Sequence, residues 1–531
     1  MRRRRPPRLP GRQTPGERGG SSWTSASYSA GLAFSIASFA CIAVVTLFTS
    51  VLSARLYGIT VIGQSALVMA PLTIVALLST VREQPAMVRE LARLQPRHPR
   101  VTGVFLAVFC FSFVLTALAT VFGVAICYAV FYGPLHQPDL FKPAALTLCG
   151  YLVIINTCWN MDSVFGAFRA GRELFSVRLH QALLYALLVV ALSLVTPTVW
   201  GLLLAFLGSW LGSLIHRLWL LRRVLVWVVP RSEIRAGFST LREIVSFGLK
   251  ITPGSLASGL TDAGGTWIVG MTSSVNAVGA YSRAWNLATR LTEVNWRITE
   301  MLLPTLVQRR AAGDREGFDR VFVDSLRYSA AGLLLPASVG GGAAEAVMSV
   351  FGGGFALGAG ALRWLLFFPV LQTLMAIQGA AVMAADRPLV TSVVQVFRFV
   401  LTLGCGFALT VAFGITGMGV AVAGGAFVSF GFYLLLLRAR LGTPIAALAH
   451  PRQIAGLGAA YAGGFLVSHL VERAQPGTLG LAAALAAGSL VYIIFGVCIG
   501  GLTDRDRQRL KAVVSRASSR RESALQGLGL T

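Results

Sequence analysis

The chain has 531 residues, 55% of them hydrophobic and only 13% charged, with a mean hydropathy of +0.70. That is far more apolar than a soluble domain and places it among polytopic membrane proteins. Its net charge of +25 would suit a nucleic-acid binder, but the distribution of that charge, set out below, excludes this role.

The basic, Pro- and Gly-rich segment 1–27 reads as a disordered cytoplasmic tail. The first apolar run is too long for the core of a cleaved signal peptide, so it is a retained span. A spanning helix needs roughly 20 mostly apolar residues. Runs of that kind recur to the C-terminal end, and the sequence predicts about fourteen of them. The first six occupy 28–53, 61–80, 102–132, 144–167, 180–198 and 199–221, giving an N-terminal lobe over 28–223. A basic cytoplasmic linker, 224–246, follows. The next six lie at 247–271, 277–303, 328–350, 361–385, 391–412 and 414–437, giving a second lobe over 247–440. Two additional helices fall within 454–501, and 502–531 is a second basic tail. The predicted fold is all-α, two six-helix lobes in a parallel repeat plus two C-terminal helices.

With the N-terminus cytoplasmic and the spans alternating, 39 of the 46 Lys and Arg fall in cytoplasmic pieces, including 216–250 and 386–398, and four (Arg55, Lys142, Arg363, Arg473) in outer ones. This is the positive-inside pattern, and it places both termini in the cytoplasm. Those basic segments suit the anionic phospholipids of the cytoplasmic leaflet, and nucleic acid is not an expected partner. The loops are too short for a catalytic domain or an ATPase, and no phosphate-binding loop is present. No catalytic residues are expected, and no cofactor. The seven Cys all lie in apolar runs and the six His are scattered, so neither a disulfide nor a metal site is expected.

The chain matches itself at a shift of about 216 residues, an internal repeat of the transporter type. "VIGQSALVMA" (61–70) aligns with "AVGAYSRAWN" (277–286), setting Gly63 against Gly279. "GLLLAFLGSWLGSLIHRLWLLRR" (201–223) aligns with "GMGVAVAGGAFVSFGFYLLLLRA" (417–439). A six-span unit makes both halves enter from the same side. Pro71, Pro253, Pro336 and Pro369 fall within spans and are candidate bending points.

The eighth span is the anomaly. At about 100° per residue, Arg283, Asn286, Arg290, Glu293, Arg297 and Glu300 share one sector, with a Leu/Val/Ile stripe beside it. A charge at the centre of a membrane helix costs about 2.5–3.5 kcal/mol, so these groups should face the bundle interior or a wet cavity. Either the carboxylates neutralise the Arg locally, or the Arg form a ladder for an oxygen-rich anion such as phosphate or pyrophosphate, which the guanidinium fork suits. Arg283, Asn286, Arg290, Glu293 and Arg297 are the candidate binding residues, with Arg290, expected near mid-span, the first choice. Asp262, in "LTDAGGTWIVG" (260–270), and Asp162, toward a cytoplasmic end, are candidates for an ion pair or a coupling-cation site.

Three stretches resemble polysaccharide flippases of the multidrug/oligosaccharidyl-lipid/polysaccharide transporter superfamily. "SARLYGITVIGQSALVMAPL" (53–72) is similar to the junction of their first two spans. "FGLKITPGSLASGLTDAGGTWIVGMTSSVNAVGAYSRAWNLA" (247–288) is similar to the seventh and eighth, and "FGITGMGVAVA" (413–423) to the entry of the twelfth. The resemblance implies a bacterial cytoplasmic (inner) membrane protein, multi-pass and alternating in access. It implies as cargo an undecaprenyl-pyrophosphate-linked oligosaccharide for O-antigen, capsule or exopolysaccharide, with a polymerase or glycosyltransferases as partners. Lipid II flippases and MATE-type drug/cation antiporters are the alternatives within the superfamily. The first span lacks the charges that lipid II flippases carry there, and an Arg ladder favours an anionic over a cationic cargo. A membrane-embedded glycosyltransferase or polymerase is the alternative from another class.

Overall fold

The computed structural model describes residues 28–168, 170–226, 228–292, 302–303, 305–385, 389–441 and 451–498. It is helical throughout, without strands among the described residues. The first half runs α1 (Tyr28–Leu78), α2 (Glu83–Leu91), α3 (Pro99–Tyr132), α4 (Phe141–Ala167), α5 (Gly171–Val195) and α6 (Val199–Leu221). The second runs α7 (Arg231–Thr272), α8 (Val275–Arg290), α9 (Arg315–Gly342), the short α10 (Ala344–Ser349) and α11 (Ala359–Leu365), α12 (Phe367–Ala384) and α13 (Leu389–Leu441). The last pair is α14 (Pro451–Ala474) and α15 (Thr478–Cys498).

Nine helical segments among the described residues are long and apolar enough to cross a membrane. Two of these are each two helices joined at a glycine. Gly58 (φ 76°) breaks α1 and Gly414 (φ 59°) breaks α13. Both lie at positive φ, where an L side chain would clash with its own backbone. The faces turned outward carry Phe113, Leu118, Phe122, Leu194, Phe413 and Leu490, all exposed, as a lipid-facing surface requires.

The sequence repeat has a structural counterpart. α3 begins at Pro99 and α9 at Arg315, and the break before α6 at Thr196–Thr198 corresponds to that at Gly414. The two halves also touch symmetrically. A Cβ placed on Gly63 would lie 2.0 Å from the carbonyl oxygen of Val275, and one on Gly279 would lie 2.4 Å from that of Ile59. Between them Thr60 Oγ1 donates to Asn276 Oδ1 at 2.8 Å, a pair 216 residues apart. Residue i meets the counterpart of j, and j meets the counterpart of i, which is the signature of contact across a local two-fold axis. The absence of a side chain at both glycines lets the backbones close.

Residues 231–246, expected as part of a linker, form the first turns of α7. Gly103 and Gly237 bring those turns onto the start of α3, while Gly264, further along α7, packs against Leu403 of α13. α7 thus touches both halves. Pro369 lies in the first turn of α12, three residues after the break at Leu366 that separates α11 from α12 within one apolar span, Gly353–Ala384. α14 and α15 dock on α9: Ser338 Oγ donates to Tyr461 O and Tyr492 OH to Ala331 O, both at 2.7 Å. Gly342, Gly464 and Gly488 allow close approach there, the small-residue packing usual between membrane helices.

Candidate functional site

α8 begins with Ser274 as its N-cap, whose hydroxyl accepts from the Ala277 N–H at 3.3 Å. Ala277, Ala280, Ala284 and Ala288 are buried and share one face of α8. Gly279, which closes on Ile59 and Gly63 of α1, shares the opposite face with Arg283, Asn286 and Arg290, as the periodicity predicts.

Arg283 is half-buried. Its two terminal nitrogens donate to Ser50 Oγ at 2.8 Å and Ser53 Oγ at 3.1 Å, both on the first segment of α1. Its Nε is buried without a partner, and among the described residues no carboxylate pairs with it. Among the described residues the guanidinium therefore bridges the two halves of the chain through neutral acceptors. Tyr185 of α5 lies within electrostatic reach.

Asn286 and Arg290 are exposed. Arg290 is the last residue of α8, so the span expected over 277–303 is interrupted by a turn at Leu291–Thr292. The Thr289 hydroxyl bonds back to Trp285 O at 2.9 Å and the Thr292 hydroxyl to Thr289 O at 2.6 Å. Such side-chain bonds compete with the helical ladder and favour a terminus. A cation in the last turn also suits the negative end of the helix dipole. Glu293, Arg297 and Glu300 lie outside the described residues.

The two candidate aspartates have different surroundings. Asp162 of α4 takes a two-pronged ion pair from Arg217 of α6, with Nε–Oδ1 at 2.7 Å and a second bond to Oδ2 at 3.2 Å. Arg217 also bonds Ser213 and is 2% exposed. Asp262 of α7 has one buried oxygen, Oδ1, without a hydrogen-bond partner. The charge within its reach is Arg398 of α13, with which it makes no ion pair among the described residues.

Arg398 and Arg217 are the residues that the charge count misplaced. Both were assigned to cytoplasmic pieces, yet Arg398 is 1% exposed inside the bundle. It donates to Gln372 Oε1 and, at 3.1 Å, to Ser258 Oγ. Its guanidinium lies 5.6 Å from the centre of the Phe368 ring, and that ring stands 5.0 Å from Trp285 of α8. The available signal was local: "VVQVFRFVL" (393–401) is apolar on both sides of the Arg.

The chain can be compared with known proteins at this point. No curated protein matches the sequence. Among solved structures, it resembles the lipid II flippase MurJ in an inward closed conformation, with a TM-score of 0.64 at 10% identity, over 88% of this chain and 97% of that one. It also resembles a MOP-superfamily transporter from Pyrococcus furiosus, with a TM-score of 0.58 at 13% identity, over 79% and 95%. An inward-facing multidrug resistance MATE transporter aligns with a TM-score of 0.54 at 16% identity, over 81% and 98%. At these identities the likeness establishes the fold. A family model described as "Polysaccharide biosynthesis protein" matches residues 51–356, more than half of the chain and all of α2 to α9. This multi-pass membrane protein, built on the fold of MOP-superfamily transporters, belongs to the polysaccharide biosynthesis protein family.

Proposed function

We propose that the chain flips an undecaprenyl-pyrophosphate-linked oligosaccharide from the cytoplasmic to the outer leaflet of the inner membrane, for surface polysaccharide assembly. Its two six-helix lobes rock about the Gly63–Gly279 contact, which the positive-inside pattern puts at the outer face. About fourteen spans and cytoplasmic termini belong to the same proposal.

The observation that carries it is the state of Arg283: a guanidinium at the junction of the halves, held by two serine hydroxyls, its Nε unpartnered. The bonds to the serines carry charge on the donor alone, whereas a pyrophosphate oxygen would carry it on the acceptor too and could take two parallel N–H bonds from the fork. It is therefore a better acceptor than either serine, and the cargo would bring a countercharge that no described residue pairs with Arg283. Asn286 and Arg290 extend the same face and would take further oxygens. Glu293 and Arg297 are proposed as the continuation of the ladder, and Asp262 as the group through which an ion gradient acts. A cationic cargo would need carboxylates where Arg283 stands, so the antiporter alternative is disfavoured.

The test is polymer export in a deletion strain complemented with variants. Arg283→Ala should abolish export with membrane abundance unchanged, and Arg283→Lys should restore little, because an ammonium cannot donate the paired fork. Normal export from Arg283→Ala would overturn the proposal.

A further inference from the structure

α14 and α15 follow the second repeat unit and have no counterpart in the first half. α14 holds a segment of the second half, residues 342–358, that reaches across to the first. The near end of this segment is anchored on α14 itself. His469 Nδ1 stands 3.3 Å from Gly342 O; a carbonyl only accepts, so this nitrogen carries the hydrogen and donates. Glu472, 8% exposed, accepts from the Ala346 N–H in the first turn of α10. Ala343 gives α10 no side-chain cap, so a carboxylate from another helix takes that place. A Cβ on Gly342 would lie 2.4 Å from Phe465 O, so the segment and α14 meet backbone to backbone.

The far end rests on the first half. Arg55 of α1 donates from Nε to Val350 O at 2.9 Å. Beyond it a 3-10 turn, Gly353–Gly358, lies over the junction of the halves. A Cβ on Gly354 would stand 3.6 Å from Ile59 Cγ2, and one on Gly358 2.9 Å from Ala280 O. Ile59 supplies the carbonyl on which Gly279 closes, and Ala280 is the next residue, so the segment lies beside the Gly63–Gly279 contact. Arg363 of α11 pairs with Glu345 of α10 at 3.1 Å, which ties the segment to itself. The two anchorages differ in kind. Breaking the Glu472 bond would leave a buried carboxylate without that donor, whereas Arg55 is exposed and its guanidinium can turn to water. When the halves part, the segment therefore stays with α14 and leaves α1.

We infer that residues 342–358 are a strap across the junction of the halves, and that α14 and α15 are its brace. Glu472 and His469 hold the strap where Ile59 and Arg55 receive it, and so set how readily the halves part there. The inference rests on the proposed rocking of the halves about the Gly63–Gly279 contact. Its test uses no cargo: normal export from Arg283→Ala would remove the cargo site and leave the cross-linking result below untouched.

The experiment is disulfide formation between Ile59→Cys and Gly354→Cys in membranes holding the full-length chain, with the seven native cysteines replaced. A Cβ on Gly354 would lie 3.9 Å from that of Ile59, a separation that suits a disulfide, so cross-linking should be fast while the strap is down. Glu472→Ala should slow it about tenfold, the scale of one hydrogen bond to a charged group. Glu472→Gln, which keeps an acceptor oxygen, should slow it less. His469→Phe keeps a ring and loses the donor; it should also slow the reaction, and it carries the test if Glu472→Ala does not fold. Ser468→Ala breaks a buried bond from Ser468 Oγ to Ala484 O that joins α14 to α15 and holds nothing of the strap, so it should leave the rate unchanged. An unchanged rate in Glu472→Ala, equal slowing by Glu472→Gln and Glu472→Ala, or equal slowing by Ser468→Ala would each overturn the inference.

Discussion

Gly63→Ala should open the contact between the two halves. The added Cβ would stand 2.0 Å from Val275 O, whereas ordinary van der Waals contact begins at 3.4 Å. The neighbour is backbone, not the end of a flexible side chain, so the helices themselves must part by about 1.4 Å at that point. Overpacking of this kind costs about 1–3 kcal/mol, or roughly 5- to 150-fold against the sealed arrangement. Gly279→Ala meets Ile59 O at 2.4 Å and should act in the same direction, less strongly. Because both methyls would press on one contact, the double variant should fall short of the sum. The assay is disulfide formation between Thr60→Cys and Asn276→Cys in membranes, with the seven native cysteines replaced; the two native polar atoms are 2.8 Å apart. Cross-linking should be fast with both glycines present and slower by the estimated factor in Gly63→Ala. An unchanged rate, or fully additive effects in the double variant, would refute a shared seal on a local axis.

Ser50→Ala with Ser53→Ala should leave Arg283 unanchored and raise the cargo concentration needed for half-maximal flipping about tenfold or more, the scale of one hydrogen bond to a charged group, as read in proteoliposomes. Arg217→Met alone should destabilise the protein by about 3–5 kcal/mol, because it strands Asp162 in the bundle, whereas adding Asp162→Leu should recover most of that loss; thermal unfolding distinguishes the two. At the mouth of α9, the Gly317 N–H and then Arg309 hold the carboxyl of Asp314 below its ordinary pKa of 3.8. A depressed folded-state pKa means the cap is fully present above 3.8 and is lost as pH falls from there through the folded value. Hydrogen-exchange protection of the Gly317 amide should fall in that acid window and be absent at any pH in Asp314→Ala.

The membrane class, the helical segments and the repeat were legible in the sequence. Hydropathy is a sum over some twenty neighbouring residues, so it survives ignorance of the fold, and the shift of about 216 that aligned Gly63 with Gly279 proved to relate residues that meet in space. The sector shared by Arg283, Asn286 and Arg290 was likewise readable, because helical periodicity is local. What each charge touches was decided by tertiary structure. Ser50 and Ser53 lie 233 and 230 residues from Arg283, and nothing near α8 names them. Arg217 and Arg398 looked like loop charges because each sits toward one end of an apolar run, yet packing draws both inside. There the polar groups of other helices, Asp162 for one and Gln372 with Ser258 for the other, replace the water that a loop would have offered.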